Sequence, residues 1–251
     1  MIFILFILGL AVGSFLNVCA DRLSHDKSIL GRSACDYCKK KLGVRDLIPV
    51  ISFILQKGKC RYCKKKLSFY YPLVEIVTGL TYVFLFFYIK QPIVEAVLYF
   101  GLFSVLIAIF FSDLKYQIIP DELQIVAFLF AVGIFLSRKA GVVFFGFQIA
   151  QGLIVATPMY LLYRLTKRKG MGFADVKFAF TMGFFLGWMW GFVALYLGFV
   201  LGAIVGIVLL VTGQKRWKSK IAFGPFLVIG TALVVLFDKQ IIPILLKLRV
   251  F

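Results

Sequence analysis

The chain is predicted to be an all-α polytopic membrane protein with about eight transmembrane helices and one small cytosolic loop domain in which four cysteines bind zinc. Three observations predict this. Over 251 residues the composition is 62% hydrophobic and the mean hydropathy is +0.97, too apolar for a soluble domain of this size. The apolar residues form continuous uncharged runs, without the alternation of a transmembrane β-barrel. The cations lie between those runs, with 23 Lys and Arg in one set of connections and six in the other.

Taken in order, the expected spans are 2–19, 71–89, 93–112, 122–136, 142–163, 176–189, 191–211 and 224–246. The sixth is short, and its boundary with the seventh at Trp188-Met-Trp-Gly191 is soft. The richly basic connections are 20–70, Lys115, 164–177 and 213–222, so the positive-inside rule places them in the cytosol and the N-terminus outside. The first run lacks a basic n-region and a small-x-small cleavage site, so it reads as a helix rather than a signal peptide. A net charge of +18 raises nucleic-acid binding, but its placement between spans fits a bilayer partner and no nucleic acid. The domains are then a first helix over 1–19, a cytosolic loop over 20–70 and a helical domain over 71–251.

The loop holds the one internal repeat. Cys35-Asp-Tyr-Cys-Lys-Lys-Lys-Leu42 recurs as Cys60-Arg-Tyr-Cys-Lys-Lys-Lys-Leu67, 25 residues later. Two C-x-x-C knuckles at this spacing suit tetrahedral zinc, with Cys35, Cys38, Cys60 and Cys63 as ligands. Two disulfides are the alternative, which a reducing cytosol disfavours. Four thiolates leave no place for a water, so the zinc would be structural, and a loop this small would depend on it to fold. The flanking lysines favour thiolate and suit anionic lipid. Cys19 falls in the first span as a packing residue, and His25, the sole histidine, cannot build a zinc protease site or a Ser–His triad.

The eleven acids can be sorted singly. Asp21, Asp26, Asp36 and Asp46 lie in the charged loop and read as solvated or ion-paired; Asp238 reads as a surface pair with Lys239, and Glu95 sits near an outer edge. Asp121 precedes Gln124 by three and follows Pro120, a capping-box pattern with Glu122 in the first turn. Glu75 lies inside the second span, where an ionisable group needs a partner or a role. Asp113 and Asp175 each stand where an apolar run meets a basic loop on the same predicted face. If their helices pack together the carboxylates can meet and share one proton, the state aspartyl proteolysis needs. Gly170 and Gly172 would permit non-helical backbone and close approach of a peptide. A helix N-cap facing Lys177 explains Asp175 equally well.

At these residues the chain resembles the type IV prepilin peptidases, bifunctional leader peptidase–N-methyltransferases related to the GxGD membrane aspartyl proteases. The resemblance runs through Gly13-Ser-Phe-Leu-Asn17, the paired C-x-x-C loop, Tyr71-Pro-Leu-Val-Glu75, Asp113 with Ile119-Pro-Asp121, Gly170-Met-Gly-Phe-Ala-Asp175-Val-Lys177 and Phe223-Gly-Pro-Phe-Leu227. It departs at Ala174, which stands for the second glycine of GxGD and lacks easy access to positive φ, and at Asp36, where the family often has proline. The resemblance implies that Asp113 and Asp175 are the catalytic dyad in the 71–251 domain. It implies that prepilins or pseudopilins are cut after glycine on the cytosolic side of the inner (cytoplasmic) membrane, and that S-adenosylmethionine then methylates the new N-terminus. Methylation would belong to the first span and the 20–70 loop, with Gly58 and Glu75 as candidate S-adenosylmethionine residues. No Rossmann glycine fingerprint is present. A relative that only cleaves, and a zinc-ribbon membrane adaptor with no catalytic role, are the alternative readings.

Overall fold

The computed structural model describes residues 1–89, 92–138, 142–167, 170–214 and 221–247, with side chains up to Phe237. Lys90, Lys139, Arg168, Lys169, Lys215, Arg216, Lys218, Lys220 and Arg249, all counted in the charge asymmetry, lie outside the described residues, as do the side chains of the expected Asp238–Lys239 pair. Among the described residues the regular structure is helical apart from two isolated bridges in the cysteine loop, which also holds a 3₁₀ turn at Val44–Asp46: α1 Ile2–Leu23, α2 Ile51–Leu55, α3 Tyr70–Tyr88, α4 Ile93–Tyr116, α5 Asp121–Ser137, α6 Val142–Leu165, α7 Phe173–Leu186, α8 Trp188–Val211 and α9 Gly224–Lys247. Among the described residues five helices are long and apolar enough to cross a membrane, namely α1, α3, α4, α6 and α8. This is a multi-pass membrane protein. The remaining three expected spans correspond to shorter helical stretches in α5, α7 and α9, the last bent at Phe237 (φ −129°, ψ 22°).

The chain divides into two compact units, Met1–Phe111 and Ser112–Phe251. In the first, α1 lies tight against α3 because glycines remove the side chains between them. A Cβ added at Gly9 would stand 2.6 Å from the Gly79 Cα, and one at Gly13 would stand 2.7 Å from the Glu75 Cα. Gly9-Leu-Ala-Val-Gly13 thus works as a small-xxx-small face, which lets backbones approach where lipid offers no hydrophobic drive. Asn17, one turn further on, donates from Nδ2 to the Tyr71 carbonyl at 3.0 Å.

In the second unit α6, α7 and α8 converge on Val155, which would collide with a Cβ at Gly183 or Gly191 (2.7 Å each). Phe128, Phe135, Phe145 and Phe184 pack edge-on and tilted around them, with centroids 4.9–6.1 Å apart. The soft boundary near residue 188 is a sharp break. Gly187 takes φ +85°, and the Trp188 N–H donates to Gln151 Oε1 at 2.9 Å. A helix start inside an apolar bundle leaves unpaired N–H groups, and the Gln151 side chain satisfies one of them.

One sequence expectation is corrected at α5. Pro120 is its N-cap residue and Asp121 its first helical residue, with no side-chain capping bond. Proline suits the entry because its missing N–H costs nothing there, and Asp121 is drawn instead to Lys177, whose Nζ stands 2.7 Å from Oδ2. Gly13→Val, which forces α1 away from α3, is expected to cost about 1–3 kcal/mol, read as a lower melting temperature of the detergent-solubilised chain.

Candidate active site and candidate metal centre

Asp113 occupies the last turn of α4. Its carbonyl accepts the Gln117 N–H at 2.8 Å, Gln117 turns the chain with φ +56°, and the Ser112 hydroxyl fixes the turn by donating to the Ile118 carbonyl at 2.9 Å. These bonds end the helix while holding the Asp113 side chain in the protein, 5% exposed. Its Oδ2 accepts the Gly224 N–H at 2.8 Å. Gly224 opens α9, where main-chain donors are free, and a Cβ there would stand 2.8 Å from Asp113 Oδ2 and 2.9 Å from Ile119 Cδ1. Glycine is required at 224 for space.

Asp175 is the third residue of α7 and is 8% exposed. The N-cap is Gly172, not Asp175, and Asp175 Oδ2 accepts the Gly172 N–H at 3.2 Å. So the N-cap alternative is corrected, though the carboxylate does help close the helix start. Gly172 has φ −76° and ψ 148°, extended backbone that any residue adopts, and Ala174 is inside α7, where alanine is at ease. The missing GxGD glycine therefore strains nothing.

Asp113 and Asp175 lie in the same compact unit, both buried and within electrostatic range of each other. Among the described residues neither carboxylate has a cationic partner. Lys177, two residues from Asp175, is held by both oxygens of Asp121 (2.7 and 2.8 Å). A buried carboxylate with one main-chain donor and no counter-ion is able to hold a proton and to exchange it with a second group.

The cysteines assemble in the first unit. The Sγ atoms of Cys35, Cys38, Cys60 and Cys63 all lie within 4.8 Å of one another, and no disulfide joins them. Tetrahedral zinc with bonds of about 2.3 Å separates its sulfurs by roughly 3.8 Å; the Cys35–Cys63 separation is 3.9 Å. The four-thiol cluster can hold a metal ion, and the all-sulfur donor set fits zinc. The 25-residue repeat persists in three dimensions. Bridges Ala34–Lys41 and Lys59–Lys66 correspond, Lys39 and Lys64 turn each knuckle with φ +56° and +57°, and the lysine contacts are reciprocal. Lys40 Nζ lies 4.3 Å from the Tyr62 ring centre and Lys65 Nζ lies 4.9 Å from that of Tyr37. The Cys63 backbone N–H is the main influence lowering the Cys60 thiol, while the neighbouring thiols of the cluster push Cys63 up, so the four sulfurs titrate as one group.

Asp46, expected to be solvated or simply paired, organises this module. It accepts hydrogen bonds from the Gly43 N–H (3.0 Å), Gln56 (3.1 Å) and Tyr62 (3.3 Å) and stands 3.9 Å from Arg61. Arg22 likewise gathers the carbonyls of residues 28–32, and Asp36 lies within reach of the Tyr71 hydroxyl at 3.2 Å.

The two candidate S-adenosylmethionine residues each have hydrogen-bond partners of their own. Gly58 (φ +65°) begins the second knuckle, donating to the Phe53 carbonyl at 2.9 Å and accepting from the Leu67 N–H at 2.8 Å. Glu75 Oε2 accepts the Val50 N–H at 2.7 Å, and Val50 is a β-branched residue at φ +60°. Sequence reasoning passed over Asn17, whose buried Oδ1 has no partner, and Gln124, whose amide has none at either end. A long polar side chain inside an expected span was the available signal for both.

Comparison with known proteins bears on these sites. The sequence model of the bacterial peptidase A24 N-terminal domain matches residues 7–89, and that of the type IV leader peptidase family matches residues 100–207. A prepilin leader peptidase/N-methyltransferase of Bacillus subtilis is 30% identical over 99% of this chain and 99% of its own length. This chain belongs to the type IV leader peptidase family. Other relatives of that name come from Myxococcus xanthus (33% identical, 84% of this chain, 64% of the relative) and Aeromonas hydrophila (28%, 95% and 91%). No solved structure matches the chain. Membership makes the chain an enzyme.

Metal analysis of the purified chain is expected to find about one zinc ion per chain. Cys60→Ser is expected to lose it and to leave the 20–70 segment open to limited proteolysis while α5–α9 stay protected.

Proposed function

We propose that this type IV leader peptidase is a membrane aspartyl endopeptidase that cuts the basic leader from prepilins or pseudopilins after glycine, on the cytosolic side of the cytoplasmic membrane. Eight spans with the N-terminus outside go with this reading, supported by the uneven loop charge. The observation that carries it is that Asp113 and Asp175 are buried in one compact unit, within electrostatic range of each other and without counter-ions among the described residues. One carboxylate draws a proton from water as it attacks the scissile carbonyl carbon. The other, protonated, gives its proton to the carbonyl oxygen. Collapse of the tetrahedral intermediate returns a proton to the leaving amine. The Gly224 and Gly172 N–H groups fix which oxygen of each carboxylate stays engaged, leaving the other free for the proton.

The reading includes methylation of the new N-terminus, the second activity named for the relatives. S-adenosylmethionine supplies the methyl group when bound. Its ammonium and sulfonium charges suit buried acceptors, and the first unit offers the Glu75 carboxylate and the orphaned Asn17 Oδ1. Gly58 would serve by its backbone alone. Zinc in the four-thiol cluster would hold the 20–70 segment in shape and take no part in either reaction.

Cleavage of a prepilin by the purified chain is expected to fall at least about a hundredfold in Asp113→Asn and in Asp175→Asn, with unchanged melting temperatures; wild-type rates in both would falsify the assignment. Mass spectrometry of the matured pilin is expected to show a single methyl group on its first residue.

A further inference from the structure

A groove of about 650 Å³ opens between α5, α6 and α7 in the second unit. Phe128, Leu153, Val176 and Phe180 give it apolar walls, and the Asp121–Lys177 ion pair stands among its lining residues. Gln124 also lines it. That side chain is 5% exposed, and neither its Nε2 nor its Oε1 has a hydrogen-bond partner. Buried amides are almost always paired because an unpaired one loses its water with no bond in return.

We propose that this groove binds an extended stretch of the peptide substrate and that Gln124 pairs with its main chain. The inference rests on the peptidase reading above and deepens it. A lipid acyl chain would fill the apolar volume but could neither donate to Oε1 nor accept from Nε2. A helical segment uses its own N–H and C=O groups internally. An unwound stretch offers one donor and one acceptor per peptide unit, the complement of a single primary amide. Hydrolysis also calls for such a stretch, since a carbonyl inside an intact helix is engaged and shielded.

Position agrees with this. Phe173, Val176, Lys177, Phe180 and Thr181 line the groove and share one face of α7 at 100° per residue, while Asp175 falls on the opposite face. A chain passing over the N-terminus of α7 from Asp175 to the groove covers about 10 Å, roughly three extended residues. The recognised stretch therefore begins about three residues from the scissile bond. The apolar walls place it on the hydrophobic side of that bond, away from the basic leader.

The test compares wild type, Gln124→Leu and Asp113→Asn with a purified prepilin, reading KM, kcat and melting temperature. It adds a photo-crosslinking benzoylphenylalanine at Leu153 in the Asp175→Asn chain. Gln124→Leu is expected to raise KM about tenfold, the worth of one or two ordinary hydrogen bonds. Its kcat should stay close to wild type, and its melting temperature should be equal or higher because a buried unpaired amide is gone. The probe at Leu153 is expected to capture the prepilin. An unchanged KM, a fall in melting temperature with a matching fall in kcat, or capture of lipid alone overturns the proposal while active wild type and inactive Asp113→Asn leave the peptidase reading standing. An active Asp113→Asn chain removes that reading instead.

Discussion

Two main-chain hydrogen bonds set the terms for the second unit: Gly224 N–H to Asp113 and Gly172 N–H to Asp175. A carboxylate withdrawn from water needs donors, and each of these receives one from the start of a helix, where donors are free. The arrangement stops there. Full neutralisation by a cation would make each acid a structural ion pair, but Lys177, the cation nearest Asp175 in sequence, lies on the other face of α7 and is held by Asp121. The acids are thus anchored but not neutralised, the condition a shared proton requires.

The same economy explains the glycines that matter. At Gly224 the absent side chain is what admits the Asp113 oxygen, and at Gly183 and Gly191 it is what admits Val155. None of the three depends on unusual φ. Gly187 and Gly58, by contrast, take positive φ to break a helix and to open a knuckle.

Much of this was legible in the chain. Continuous apolar runs gave the helical membrane class, and the 25-residue repeat gave the four-thiol cluster, because both are properties of residue type and spacing. Asp113 and Asp175 stood out because acids are scarce, and both are buried in the same compact unit. What spacing could not give was long-range partnership. Asp121 looked like a cap because local pattern favours that role, yet it is tied to a residue 56 positions away. Asp46 looked solvated but collects three donors from a folded loop, and the Gln124 amide is conspicuous only once three helices enclose it. The break at Gly187 showed in the sequence only as a soft boundary around residue 188, because the side chain that stabilises it, Gln151, comes from another helix.

The length of α7 has a consequence for what it can face. At 14 residues it rises about 21 Å, against about 36 Å for each of its 24-residue neighbours α6 and α8. That rise falls short of a hydrocarbon layer some 30 Å deep, and Val176, Phe178, Ala179, Met182 and Phe184 are buried against other helices. Protein therefore provides most of the surroundings of α7, so the medium around Asp175 is set by the side chains of neighbouring helices.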